Sequence, residues 1–137
     1  MSDCIFCKIA NGEIPSNTVY ENENFRVILD ISPANLGHCL VIPKLHSENI
    51  FEMTEAMTKE AFGIAKRVAD AIKSANIAQG VNILQNNGEI AGQTVHHFHI
   101  HIIPRKENDK VTIKSETVKL SNEEMTNVKE LLANSIK

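Results

Sequence analysis

Residues 97–102 run His-Phe-His-Ile-His-Ile, and this strict alternation constrains the chain more than any other stretch. A period of two marks an extended strand with unlike faces, because successive side chains point to opposite sides. His97, His99 and His101 then share one face, with neighbours about 6.6 Å apart at a strand rise of about 3.3 Å per residue. Phe98, Ile100 and Ile102 share the other face and are core candidates. One half-buried, hydrogen-bonded histidine is ordinary packing, but three aligned on one face are not. Two chemistries fit the row. A metal centre needs nitrogens converging to about 2.0–2.1 Å from one ion, and three residues on one straight strand diverge too far for all to reach it. A histidine nucleophile needs a neutral ring, a partner that fixes its tautomer, and N–H or cationic groups for the reacting anion. Gly88 and Gly92, just upstream, can open backbone N–H groups toward a phosphate, although glycines alone are a weak signal.

The rest of the chain predicts an α+β domain over residues 1–137, with an antiparallel sheet and helices packed on it. Residues 4–10 form a short apolar helix or turn. "NTVYEN", "FRVILDI", "HCLVIPK", "GVNILQN" and "HFHIHIIP" read as five strands, the third stopped by Pro43 and the fifth closed by Pro104. Between the third and fourth lies the main helix, residues 54–75, with Thr54 as N-cap. Met57, Ala61, Ile64, Ala65, Val68 and Ile72 form its apolar stripe, which serves core or subunit packing. Ser121 with Glu124 makes a capping box for a terminal helix over residues 122–136. Residues 105–120 are mixed and polar.

With 14 basic and 17 acidic residues interleaved, the chain shows no duplex nucleic-acid footprint. No apolar run approaches the ~20 residues of a membrane helix. The first residues lack the basic and long apolar regions of a signal peptide, so a cytoplasmic protein is expected. Three cysteines fit a reduced compartment better than a disulfide framework. Cys4 and Cys7 form C-x2-C, half of a tetrahedral zinc site, and histidines are the plentiful supply for the other half. Two buried thiols without metal are the bland alternative. Cys39 reads as a small buried hydrophobe, on the opposite face from His38. His96 breaks the alternation and takes no role.

The run from His97 to Ile103 resembles the histidine triad motif of the HIT family. "DISPANLGH", "LVIPK" and "NNGEIAGQTVHHFHIH" resemble the segments that flank the triad in its Hint-like branch. The likeness spans most of the chain, and the stretch after Pro104 departs from the family's short, tryptophan-containing ending. The resemblance implies a nucleotidyl hydrolase or transferase acting on purine nucleoside phosphoramidates, acyl-adenylates or dinucleoside polyphosphates. In it, His99 attacks the α-phosphorus and forms a nucleotidyl-histidine. The His97 carbonyl holds Nδ1–H of His99. His101 and His38 contact the phosphate, Thr94 and Gln93 line the α-phosphate and leaving-group side, and the backbone from Gly92 to Val95 adds N–H donors. Asp30 takes the ribose hydroxyls, Asn86 sits at the site edge, and Ile5, Phe6, Ile9, Ile28 and Ile31 form the base slot. For those apolar residues taken alone, ordinary core is the simpler reading. Bacterial members with C-x2-C bind zinc through residues that match Cys4, Cys7, His46 and His97. A closed Cys2His2 set leaves no open position, so such a zinc is structural. Related small proteins pair as homodimers through the long helix and an edge strand, which is the expectation here. A nucleotide-binding regulatory module stabilised by zinc, with incidental turnover, is the competing expectation.

Overall fold

The computed structural model describes residues 3–137. Its elements, in order, are α1 (Ile5–Ala10), β1 (Thr18–Glu21), β2 (Phe25–Leu29), β3 (Cys39–Pro43), α2 (Glu55–Ser74), β4 (Gly80–Leu84), β5 (Ile100–Arg105) and α3 (Asn122–Ser135), with a single 3₁₀ turn at Glu89–Ala91. The five strands form one antiparallel sheet in the order β1-β2-β3-β5-β4.

The sheet has two working faces. On one, Phe25, Val27, Cys39, Val41, Phe98, Ile100 and Ile102 pack with Ala61, Ile64, Ala65 and Ile72 of α2. These helix positions sit on the stripe that the three- and four-residue spacing marks, and Met57 and Val68 border the same core. Thr54 caps α2, its hydroxyl accepting from the Met57 N–H at 3.1 Å. On the other face a smaller cluster of Ala10, Ile28, Leu40 and Ile42 receives Phe6 and Ile9 from α1. Register places Leu40 opposite His101. The histidine row therefore lies on the α1 side, while its apolar partners fill the α2 side.

The histidine strand is shorter at its start than the alternation predicts. β5 begins at Ile100, so His97, in a bend, and His99 precede the ladder. The reason is that β3 pairs only Cys39–Val41 with Ile102–Ile100. The Phe98 N–H instead donates to the Ser47 carbonyl at 2.7 Å, in the loop that follows β3. The side-chain alternation survives: Phe98, Ile100 and Ile102 are fully buried in the core. Pro104 also lies inside β5 rather than closing it. Its carbonyl faces Asn35 at 2.8 Å, on the flank where pairing with β3 has ended, so the missing N–H costs no ladder bond.

The terminal helix forms with its capping box intact, between Ser121 and Glu124. None of its residues is buried. Among the described residues no helix is long and apolar enough to cross a membrane.

Candidate nucleotide cleft and metal centre

His97 is fully buried where three segments meet. Its Nε2–H donates to the Pro43 carbonyl at 2.9 Å. In a neutral imidazole this leaves Nδ1 as a bare lone pair. That nitrogen lies 3.3 Å from Cys4 Sγ, 3.5 Å from Cys7 Sγ and 3.1 Å from His46 Nδ1, and Cys7 Sγ lies 3.3 Å from His46 Nδ1. All four atoms fall within 4.8 Å of one another. A tetrahedral zinc with N and S ligands has edges of about 3.3–3.8 Å, so the set fits the ion closely. The tautomer enforced by Pro43 fits it too. Burial and the neighbouring Cys4 thiol push the Cys7 thiol up to about 11, a cost that a bound cation reverses. Cys4 caps α1, its sulfur accepting from the Cys7 N–H at 3.4 Å. The centre therefore joins α1 to the histidine segment and to the loop after β3.

One step along, His99 faces a different space. Its Nδ1–H donates to the His97 carbonyl at 2.7 Å, which leaves Nε2 unprotonated. Phe6 stands edge-on to its ring at 5.0 Å between centroids. The cleft there holds about 420 Å³ and is lined by Ile5, Phe6, Ile9, Ile28, Asp30, Ile31, Thr94, His99 and His101 among others. Ile31 is 90% exposed and Ile5 51%, at the cleft's rim. The lining is mostly apolar, with Asp30, Thr94, His99 and His101 among its polar groups. Asp30 is steadied by the Ser32 N–H, which donates to Oδ1 at 2.8 Å. Ile14, Pro15, Ser16, Leu29, Ser32, Leu40 and Val95 also line the cleft. Apart from Val95, whose backbone lies in the expected donor stretch, sequence reasoning passed over them; "NGEIP" reads as a helix stop, and nothing local shows that it folds back over β2.

Four expected site residues, Gln93, Asn86, Gly92 and His38, lie off the cleft wall. Gln93 is buried at 3%, and its amide is spent on the loop itself. Its Oε1 accepts from the Gly88 N–H at 2.8 Å, and its Nε2 donates to the Glu48 and Val95 carbonyls at 2.6 and 3.0 Å. It shapes the loop that carries Thr94. Asn86 packs on Gly92, its Nδ2 3.4 Å from the Gly92 carbonyl, with Gly92 in the left-handed region at φ +98°. His38 stands behind His101 rather than on the cleft floor. Its Nδ1 accepts the Ala34 N–H at 3.0 Å, so the ring proton is on Nε2 and points to His101 Nδ1 at 3.0 Å. Asp30 Oδ2 is 3.6 Å from His38 Nε2. His101 is thereby set as the Nε2–H tautomer, a hydrogen-bond donor. His96 is exposed, between Glu48 and Glu89 at 3.6 and 3.4 Å.

Burial keeps these rings neutral. It lowers the pKa of His38 and of His99, and lowers His101 to about 4, helped by the repulsion from charged forms of His99 and His38. A depressed histidine favours the folded state where the ring is neutral in both states, above the unfolded value of about 6.5. That stability is lost as the pH falls from the unfolded value toward the folded one. The melting temperature should therefore hold above about pH 6.5 and drop toward pH 4. Thermal melts across that window should show a shallower decline in His101→Asn; an unchanged slope would contradict the assignment.

Comparison with known proteins agrees with this geometry. The HIT domain family model matches residues 11–108. This chain belongs to the HIT family. A Bacillus subtilis relative, Protein hit, is 52% identical over 103 residues, covering 75% of this chain and 71% of the relative. Adenosine 5'-monophosphoramidase HNT1 of Saccharomyces cerevisiae is 43% identical over 104 residues, covering 76% of this chain and 63% of that protein. A HIT family crystal structure from Bacillus anthracis superposes with a TM-score of 0.91 at 43% identity, covering 98% of both chains. A zinc-bound histidine triad protein from Mycobacterium smegmatis superposes with a TM-score of 0.77 at 35% identity, covering 97% of this chain and 95% of that one. The sheet, long central helix and short flanking helices are the HIT fold, and the Cys2His2 cluster is a possible metal site within it.

Proposed function

We propose that this protein transfers a nucleotidyl group from a purine nucleoside phosphoramidate, acyl-adenylate or dinucleoside polyphosphate to water through His99. The observation that carries the reading is the 2.7 Å bond from His99 Nδ1 to the His97 carbonyl, which turns a basic Nε2 into the cleft. Nε2 attacks the α-phosphorus, the bond to the leaving group breaks, and a P–N bond forms. His101 Nε2–H donates a hydrogen bond to a non-bridging phosphate oxygen, and the leaving group takes its proton from solvent. Water then cleaves the P–N bond and releases the nucleoside monophosphate. Asp30 takes the ribose hydroxyls, and Ile5, Phe6, Ile9, Ile28 and Ile31 hold the base. Thr94 and backbone N–H groups near Gly92 face the developing charge. The name of the yeast phosphoramidase supports the substrate class.

In the same reading, Cys4, Cys7, His46 and His97 hold a structural zinc, which would supply rigidity and no chemistry. The chain acts as one unit in the cytoplasm, without a duplex nucleic-acid or membrane partner. Incubation with an adenosine phosphoramidate followed by mass spectrometry tests the reaction. A nucleotidyl adduct mapped to His99 is expected. Saturable binding with no adduct and no turnover would favour the regulatory module instead.

A homodimer completes the proposal. The α2 face carries Phe62 at 39% exposed, and the edge strand β4 carries Ile83 at 44% and Leu84 at 36%. Helix α3 leaves Met125, Val128, Leu131 and Leu132 open. Such surfaces suit a second copy. Sedimentation at micromolar concentration should give twice the chain mass, and a monomer would contradict it.

A further inference from the structure

The turn that carries His38 is anchored far from the reacting atoms. Asn35 Nδ2 donates to the Pro104 carbonyl at 2.8 Å and to Asp109 Oδ2 at 2.9 Å. Asp109 is a hub, its side chain only 3% exposed. It accepts from Arg105 Nε and Nη2 at 2.7 and 2.9 Å, and from the Lys106 and Val111 N–H groups at 3.1 and 3.2 Å. Arg105 is held in turn by Asn82 Oδ1 at 2.7 Å and the Val111 carbonyl at 3.0 Å. A buried carboxylate with this many donors is a fixed point, not a mobile surface charge.

From that point the constraint runs to the cleft in three steps. The Asn35 carbonyl accepts the His38 N–H at 3.1 Å and closes the turn. Gly37, at φ +90°, seats it so tightly that a Cβ would meet Ile77 Cγ2 at 3.2 Å and Pro104 Cγ at 3.3 Å. The closed turn aims the Ala34 N–H at His38 Nδ1, and His38 Nε2–H at His101 Nδ1. We propose that the Arg105–Asp109–Asn35 cluster fixes the tautomers of His38 and His101, so that Asn35 and Asp109 are positioning residues for the transfer. The proposal rests on the nucleotidyl-transfer reading for its kinetic consequence, and on geometry alone for the tautomers. It gives a role to residues 105–111, the mixed polar stretch that follows Pro104.

The test uses full-length protein with nitrogen-15 histidine, read by long-range proton–nitrogen NMR. In the parent protein, His38 and His101 should each show a protonated Nε2 and a bare Nδ1. Asn35→Ala should mix both tautomers and slow single-turnover formation of the His99 adduct about 10- to 100-fold, the scale of a misplaced reacting group. Affinity for adenosine monophosphate should stay within about threefold, since the base slot is untouched. Asp109→Asn, which keeps the shape and drops the charge, should shift the same signals the same way and carries the test if Asn35→Ala fails to fold. Parent tautomers in both variants would overturn the proposal, whatever the rate. A parent protein that never forms the adduct would overturn the reaction while the tautomer shift still supports the positioning role.

Discussion

Replacing His99 with asparagine is expected to abolish nucleotidyl transfer while leaving the fold and the metal centre in place. The reacting lone pair is on Nε2, and the ring reaches the cleft because Nδ1–H is tied to the His97 carbonyl at 2.7 Å. Asparagine can still donate to that carbonyl but carries no basic nitrogen at the cleft floor. Loss of the nucleophile in a concerted constellation costs about 10⁴-fold or more in turnover. Binding should change far less, by under about tenfold or 1.4 kcal/mol, because Asp30 and the apolar rim remain. Stability should fall by about 1 kcal/mol, the ordinary cost of a substitution. Turnover, nucleotide affinity, adduct mass and zinc content from one preparation separate the possibilities. Retained turnover would assign the nucleophile elsewhere. Lost zinc would make His99 part of the metal centre, which its orientation speaks against.

Much of this site is legible in residues 97–102 because a period-two pattern reports facing directly. Phe98, Ile100 and Ile102 lie in the core, and the histidines lie opposite. The capped α2 helix is equally legible, because its stripe and Thr54 are local signals. Where the ladder begins is not local. It depends on which residues of β3 remain to pair, and the Ser47 carbonyl takes the Phe98 N–H instead. Gln93 and His38 show the same limit. Their residue types fit phosphate contacts, but each polar atom has a choice of partners that only the folded chain decides. For Gln93 those partners are Gly88, Glu48 and Val95; for His38 they are Ala34 and His101. The Asn35–Asp109 contact joins residues 74 apart in the chain and leaves no periodic trace.

Removing the metal should cost the protein more stability than any surface change, and should damage binding before chemistry. Helix α1 has only six residues, too few to persist alone. It is held by Phe6, Ile9 and Ala10 against β2 and β3, and by Cys4 and Cys7 at the Cys2His2 cluster. A ligand that binds only the folded state adds about 4 kcal/mol at a free concentration 1,000 times its Kd. At about 3 °C per kcal/mol for a domain of this size, chelation or Cys7→Ser should lower the melting temperature by about 12 °C. The same helix carries Ile5, Phe6 and Ile9 to the cleft. KM should therefore rise several-fold as the slot loosens. The turnover number should fall less, because the bond between His99 and the His97 carbonyl does not run through the cysteines. An unchanged melting temperature would mean that the four ligands hold no metal of consequence. Loss of turnover with folding and nucleotide affinity intact would place the ion in the chemistry. His97 is the residue on which the two outcomes differ: its ring points to the cysteines, and its carbonyl points to the nucleophile.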